Sequence, residues 1–476
     1  VSSPAAPAAP AKQRTFDRSI VEGPLQAAVW KLAWPAMLTN IVGGLQGLVD
    51  HAMVGNFVGF TGNAAIGVAN QIFIVVIVFI MSLFTGMSIL VARHVGARDS
   101  LGADRVVYQA FITAIALSLG VLAPIGYFTA PALLRFVNAT SAVQAEALPY
   151  LRISCLFSVG MLIFFMLSGA LRSAGDARTP MRLGVAMTVL NVTFNTILIR
   201  GLGPIPAFGT AGAAIGTVLA AGIVGSYGLW RLWHGGWVVA FPKGMGYQLD
   251  FTIIRSLFRF GLPTGIQGIA MNVGGVLLLS VIGSLAASAP AQAAYAVSYG
   301  QIFSFITWTS VGLMGAAATV VGQNLGAGQP ERADAGVRVA ARFAGFGAAS
   351  VGLLFLLFPA QLLAIFGMRD AEAVALGVQL LRILSVSGIF IATALAYTGG
   401  LQGAGDTKSP LYISIVSQVI VPLGICVAIR SATTLQPIHV WGAILAGHAT
   451  RCTLSVWRFR QGKWRGILGA VSPTAS

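Results

Sequence analysis

Leu171-Arg172-Ser173-Ala174-Gly175-Asp176-Ala177-Arg178-Thr179-Pro180 returns as Leu401-Gln402-Gly403-Ala404-Gly405-Asp406-Thr407-Lys408-Ser409-Pro410, at an offset of 230 residues. Val95-Gly96-Ala97 with Ala103-Asp104 returns as Leu325-Gly326-Ala327 with Ala333-Asp334 at the same offset. Pro35 pairs with Pro263, and Trp230-Arg231 with Trp237 pairs with Trp457-Arg458 with Trp464, at offsets of 228 and 227. One such match is chance; four in register mean that one unit of the chain was duplicated. Within the motif, Gly ends one helix, Asp caps the next element and Pro opens the next helix. A gate-coupling role is the alternative use of that turn.

Outside the motif the chain is overwhelmingly apolar. Of 476 residues 56% are hydrophobic and 9% charged, with mean hydropathy +0.83. A soluble domain carries about 25% charged residues, so the solvent of this surface is lipid. Apolar windows predict about twelve spanning helices, over 31–55, 64–92, 105–131, 149–172, 180–200, 210–234, 257–285, 291–322, 335–360, 376–402, 410–430 and 439–459. The fold class is therefore an all-α polytopic membrane protein of two pseudo-symmetric six-helix lobes. Six being even, both copies share one orientation: a parallel repeat, with substrate expected at the interface between the halves. The predicted organisation is a disordered or amphipathic cytoplasmic segment at 1–24, lobes at 25–236 and 257–465, a cytoplasmic linker at 237–256 and a cytoplasmic tail at 466–476. No cleavable signal peptide is evident at the start.

The net charge of +16 belongs to loops facing anionic headgroups, not to a nucleic-acid surface. Of 29 Lys and Arg, all but Arg135, Arg152, Arg200, Arg369, Arg382, Arg430 and the intramembrane Arg451 fall on the side of the N-terminus. That bias predicts both termini in the cytoplasm and the chain in the inner (plasma) membrane. Cys155, Cys426 and Cys452 lie in separate apolar segments and read as core residues, not as a disulfide framework or a metal site. No cofactor or metal is expected. The partners expected are small organic substrates, protons or sodium, and membrane lipids, with the protein a monomer.

The acids carry the sharpest functional signal. Of the 13 Asp and Glu, only Asp50 falls inside a predicted helix away from its ends. An ionised Asp at the bilayer centre costs roughly 2.5–3.5 kcal/mol on insertion scales, and burial favours the neutral carboxyl. A carboxyl so placed can exchange a proton, which a proton-coupling site requires; satisfied packing at the outer end of the first helix is the alternative. Asn191 and Asn195 are one turn apart and share a face, where interhelical hydrogen bonding is the other reading. Gln46 lies one turn before Asp50. His51 points about 100° away from it.

Two six-helix halves, Leu-x-x-Ala-Gly-Asp-x-x-x-Pro after helices 4 and 10, Val-Gly-Ala after helix 2, and Pro35 with Asp50 in helix 1 together resemble the multidrug and toxic compound extrusion (MATE) family, over about residues 25–465. The resemblance implies two lobes opening alternately to either side and export of organic compounds against proton or sodium entry. It implies that Asp50, fifteen residues after the helix-1 proline, binds the coupling cation. Asn191, Asn195 and Thr217 match residues that face this carboxylate. The family's pair is Asn-x-x-x-Asp/Asn; here the second position, Asn195, is Asn and not Asp, which thins the oxygen set that sodium prefers and favours protons. Pro35 lacks a backbone donor; it is expected to let helix 1 bend with the state of Asp50, a straight helix being the alternative. In helix 7, eight residues after Pro263, the Glu of some family members is replaced by Met271, so no cation site is expected there.

Gln46, Met53, Met271, Tyr295, Tyr299 and Tyr397 are candidate substrate contacts, since Met-rich and aromatic surfaces suit adaptable binding; ordinary helix packing accounts for each equally well. His448 and Arg451 share a face of helix 12, and an Arg in the cleft would favour anionic substrates. Three function classes follow. The first is a cation-coupled, proton-driven antiporter exporting drug-like compounds by alternating access. The second is a lipid-linked oligosaccharide flippase of the same superfamily, which needs cleft cations for a pyrophosphate. The third, a membrane enzyme, lacks the clustered His, acids or Cys it needs. The chain contains no Gly-x-x-x-x-Gly-Lys-Ser/Thr phosphate loop, so ATP does not drive transport through it.

Overall fold

The computed structural model describes residues 16–137, 139–242 and 248–467. Twelve long helices are present among them: α1 (Leu25–Phe57), α2 (Phe60–Gly96), α3 (Ser100–Phe136), α4 (Ser141–Ser173, bent), α5 (Arg178–Arg200), α6 (Gly209–His234), α7 (Phe251–Gly283), α8 (Ser288–Gly326), α9 (Pro330–Leu357), α10 (Ala371–Gly403), α11 (Lys408–Ala432) and α12 (Pro437–Arg460). Ten are long and apolar enough to cross a membrane, and the bent α4 makes eleven. The twelfth, α12, falls short because it spends His448, Arg451 and Ser455 on a buried face. Helices are the form such a chain must take, since lipid offers the backbone no hydrogen-bond partners.

Two helices depart from the predicted spans for local reasons. The window 149–172 is not one straight helix: Ser141–Leu156 and Ser158–Ser173 meet at 50°, with Phe157 out of helical geometry between them. Ser158 then pairs with Ser118 at 3.0 Å, inside a π-helical turn of α3, Ser118–Leu122. That turn precedes Pro124 and a similar one in α11, Val416–Ile420, precedes Pro422. Each proline lacks the donor for the carbonyl four residues back, which falls inside the widened turn. α1 runs unbroken past Pro35.

The repeat is visible in the two turns quoted at the outset. Gly175 and Gly405 hold φ of 99° and 90°, the left-handed closure that glycine permits. Asp176 Oδ1 accepts from the backbone of Arg178 and Thr179, and Asp406 Oδ1 from that of Ser409. The copies then differ. Asp406 also takes Arg458 of α12, at 2.8 Å and 3.0 Å, whereas the repeat-related Arg231 turns to the carbonyl of Gly236.

Packing does not follow the midpoint of the sequence. Ala28, Val29, Leu32 and Ala33 of α1 are buried in the core of the second half, among residues of α8, α9 and α10. Reciprocally, Leu257 and Phe260 of α7 are buried in the core of the first. Glycines allow the crossing: a Cβ on Gly86 would strike the Leu257 carbonyl and one on Gly261 the Ser82 carbonyl. On the side of the membrane that carries both termini, Gln323 of α8 donates to the Ser173 carbonyl of α4 at 2.7 Å.

Residues 16–24, expected to be disordered or amphipathic, are docked on that side. A helical turn, Ser19–Glu22, buries Ile20 and Val21. Lys31 pairs with Asp17, and Arg332 of α9 donates to the Gly23 carbonyl. Residues 1–15 lie outside the described residues. The linker expected at 237–256 is shortened because Asp250 caps α7, accepting from Thr252 and Ile253. Its first part is anchored on α3: Ala240 donates to Asp104 at 2.8 Å. Residues 243–247, and the tail from 468, are outside the described set.

The difference between the two turns yields a prediction. Asp176→Ala should cost about 1 kcal/mol, the value of a lost cap, whereas Asp406→Ala also removes the charge-assisted hydrogen bonds from Arg458, which keeps Ser409 and Gln461 as partners, and should cost about 2.5 kcal/mol in all. Thermal denaturation of the two purified variants in one detergent checks the order.

Candidate functional site

Asp50 lies in α1 about two turns from its end at Phe57. Its side chain is partly buried against α5, where Asn195 Nδ2 donates to Asp50 Oδ1 at 2.8 Å. Asn195 Nδ2 also lies 3.3 Å from Asn191 Oδ1, and Asn191 Nδ2 donates to Thr217 Oγ1 of α6 at 2.9 Å. Thr217 in turn donates to the Ala213 carbonyl. Three helices thus bring Asp50, Asn195, Asn191 and Thr217 into one hydrogen-bonded chain, with both Asn residues fully buried. Gly216 permits it: a Cβ there would collide with Asn195 Oδ1. That oxygen is buried and has no hydrogen-bond partner among the described residues. Asp50 makes no ion pair among them, and His51 pairs with Asn63 of α2 at 2.6 Å instead.

Two further residues belong to this region and escaped the sequence reading. Tyr150 of α4 lies within electrostatic reach of Asp50. Glu146, outside the window predicted for helix 4, is inside α4 and accepts from Thr210 of α6. Asp50 is therefore not the only acid well within a helix. The signal was present in Thr140, whose hydroxyl caps α4 at Val143 and starts the helix earlier than hydropathy suggests.

Between the halves lies a cavity of about 500 Å³, within the range of drug-sized sites. Its wall is largely apolar: Ile74, Ile77 and Met81 of α2, Phe164 and Phe165 of α4, and Met271 of α7 line it. Arg172 of α4 and Arg451 of α12 line it as well. In the same wall, Gln402 lies 3.5 Å from Gln267, which donates to Ser414 at 2.7 Å. Arg172 and Gln402 are repeat-related, so one position in each half faces the same space.

Of the candidate substrate contacts, Met271 alone lies on this wall; the other five lie elsewhere. Gln46 accepts from Thr188 of α5 at 2.7 Å and does not reach Asp50. Met53 packs on a small cluster of Val54, Ile66, Ile199 and Ala213. Tyr295 and Tyr299 stack on each other at 5.0 Å inside the second half, continuing to Trp441, Phe303 and His448. There His448 pairs with Ser387 and approaches the Tyr299 hydroxyl at 3.4 Å. Tyr397 packs edge-on against Phe459 near the termini side. Aromatic rings fill gaps within a lobe as readily as they line a cavity, and composition does not separate the two uses. Arg172, counted with the cytoplasmic charges, turns out to be a wall residue. Its signal was the i, i+3, i+4, i+7 stripe Phe165, Ser168, Gly169, Arg172, whose small members leave space before one helix face.

A helical membrane protein of two repeated lobes enclosing a drug-sized cavity has the architecture of a membrane transporter. The sequence model of the MatE family matches residues 35–197 and 263–427, one stretch in each half, and the chain belongs to that family; it is a multi-pass membrane transporter and not an enzyme. A Thermotoga maritima protein named probable multidrug resistance protein NorM is 26% identical, over 91% of this chain and 92% of its own. The Bacillus subtilis probable multidrug resistance protein YoeA is 25% identical, over 90% and 92%. A solved MOP-superfamily transporter from Pyrococcus furiosus, whose binding pocket is described as reversed in polarity, superposes with a TM-score of 0.88 at 23% identity, over 95% of this chain and 100% of that one.

The placements are testable by thiol chemistry. In a chain freed of Cys155, Cys426 and Cys452, Met271→Cys should react with a small maleimide at least about tenfold faster than Tyr397→Cys, since reaction follows thiol access. Mass spectrometry of the labelled protein measures both rates.

Proposed function

We propose that the chain exports small organic, drug-like compounds by alternating access and couples that export to inward movement of a cation at Asp50, protons rather than sodium. The observation that carries the reading is a carboxylate in a spanning helix with one hydrogen-bond donor, Asn195, and no ion pair among the described residues. An acid left without a counter-charge in a lipid-embedded helix is costly, and neutralisation by a mobile cation relieves that cost. Sodium is less suited, because Asn191 Oδ1 already faces Asn195, which leaves Asn195 Oδ1 as the one unpartnered amide oxygen of the pair to join the Asp50 carboxylate. The names of the relatives support multidrug efflux as the activity.

Several properties accompany this reading. The functional halves are residues 25–236 and 257–465, and the protein works as a monomer in the plasma membrane with both termini in the cytoplasm. Pro35 is the point at which α1 bends as Asp50 changes state. The second reading, a lipid-linked oligosaccharide flippase, is favoured by the presence of both Arg172 and Arg451 on the cavity wall, two cations suited to a diphosphate.

Asp50→Asn should reduce efflux of a dye panel in inverted vesicles to the level of vesicles lacking the protein, with membrane expression unchanged. Efflux that still follows an imposed pH gradient after this change rules out the Asp50 mechanism. Omitting sodium at fixed pH should leave wild-type transport intact; a collapse of transport assigns sodium instead. A lipid-linked oligosaccharide flipping assay on the same vesicles decides the second reading.

A further inference from the structure

The cavity has a polarity that the coupling site does not explain. No Asp or Glu is among the residues that line it. Arg451 is 4% exposed, and its Nε is buried without a hydrogen-bond partner among the described residues. Arg172 Nε is in the same condition. Neither arginine makes an ion pair or a hydrogen bond with a described residue, and the cavity wall offers neither of them a carboxylate. Further polar atoms on the wall are likewise buried and unpartnered: Asn40 Nδ2, Ser88 Oγ, Ser168 Oγ and Thr264 Oγ1. Most of them can donate.

The two cations come from different halves. Arg172 ends α4, and its Nη1 lies so close to α8 that a Cβ on Gly315 would be 3.3 Å away. Arg451 stands nine residues before the end of α12, roughly 13 Å into the helix bundle at 1.5 Å per residue. Guanidinium groups cannot shed their charge as a buried carboxyl can. Two of them in a low-dielectric cavity without counter-charge create a field that attracts anions and rejects cations. The remaining wall, of Ile, Val, Met and Phe, wants an apolar body.

We propose that the molecule carried is an amphipathic organic anion, its carboxylate, sulfonate or phosphate group met by Arg172 from one half and Arg451 from the other, its apolar body against α2, α4 and α7. This names the substrate class of the transporter proposed above and rests on that reading for its transport consequence; the binding claim stands on the cavity alone. An acid head could belong to a soluble amphiphile or to a lipid-linked phosphate, and the chemistry of recognition is the same.

The test is equilibrium binding to the purified full-length chain in detergent. The probes are labelled taurocholate, an uncharged steroid alcohol of the same ring system, and the cation tetraphenylphosphonium. Taurocholate should bind at least about tenfold tighter than either comparison probe. Arg172→Gln, which installs the residue found at Gln402, and Arg451→Gln should each weaken taurocholate by about tenfold or more, and the lysine variants by much less. Size exclusion and thermal profiles show whether each variant is folded. The probe comparison in wild type alone decides if one is not. Competition with a polyprenyl diphosphate distinguishes the sources: strong displacement supports the anion site and assigns it to a lipid, weak displacement supports it and assigns a soluble amphiphile. Tetraphenylphosphonium binding as tight as taurocholate, or folded glutamine variants with unchanged taurocholate affinity, overturns the proposal. Efflux of a cationic dye that depends on Asp50, in a protein that binds no taurocholate, sinks this inference and leaves the exporter reading standing. Taurocholate binding that depends on both arginines, in a protein whose transport ignores Asp50, does the reverse.

Discussion

The start of each half is buried in the core of the other, and this exchange is what the remaining architecture rests on. Ala28, Val29, Leu32 and Ala33 of α1 sit in the second core, and Leu257 and Phe260 of α7 in the first. Backbone approaches at Gly86 and Gly261 make the crossing possible, because no side chain stands between α2 and α7 there. In lipid, apolar burial between helices brings little, so close packing of small residues does the holding. Both approaches lie in the halves of α2 and α7 nearer the termini, where Gln323 also ties α8 to α4. Lobes joined at such a seam retain a cavity between them.

Around that seam the intramembrane charges divide into two regions with different work. Asp50, Asn195, Asn191 and Thr217 form a chain through α1, α5 and α6, inside one half. Arg172 and Arg451 face the space between the halves. A charge on a spanning helix is tolerated only where it avoids lipid, and the two regions satisfy that in different ways, one by hydrogen bonds within a lobe and the other by facing a cavity. The repeat is therefore symmetric in backbone and unequal in chemistry: where one copy of the motif carries Arg172 the other carries Gln402, and where one turn binds Arg458 the other leaves Arg231 to a local carbonyl.

Much of this was legible before any coordinates. The duplicated motif announced two lobes, and its Gly and Asp act as their residue types demand, Gly175 and Gly405 left-handed and Asp176 and Asp406 capping. The four residues that the family resemblance put together around Asp50 are linked by hydrogen bonds, and i, i+4 spacing on α5 puts Asn191 and Asn195 on one face. The candidate substrate contacts were read less well. Tyr295, Tyr299 and Tyr397 are interior to the second half, and only Met271 of the six reaches the cavity.

What the sequence by itself determined is the membrane class, the twofold repeat, and that Asn191 and Asn195 share one face of a helix. These follow from composition, spacing and the 3.6-residue period, all of which are local properties. Only the tertiary structure decided which neighbour each face meets: that Tyr299 meets His448, that Arg172 meets the cavity, and that α1 and α7 trade cores. A strongly polar residue in a spanning helix turns away from lipid whether it faces a sister helix or an open cavity. Its own segment encodes only the turning away, and the packing of the other eleven helices settles the rest.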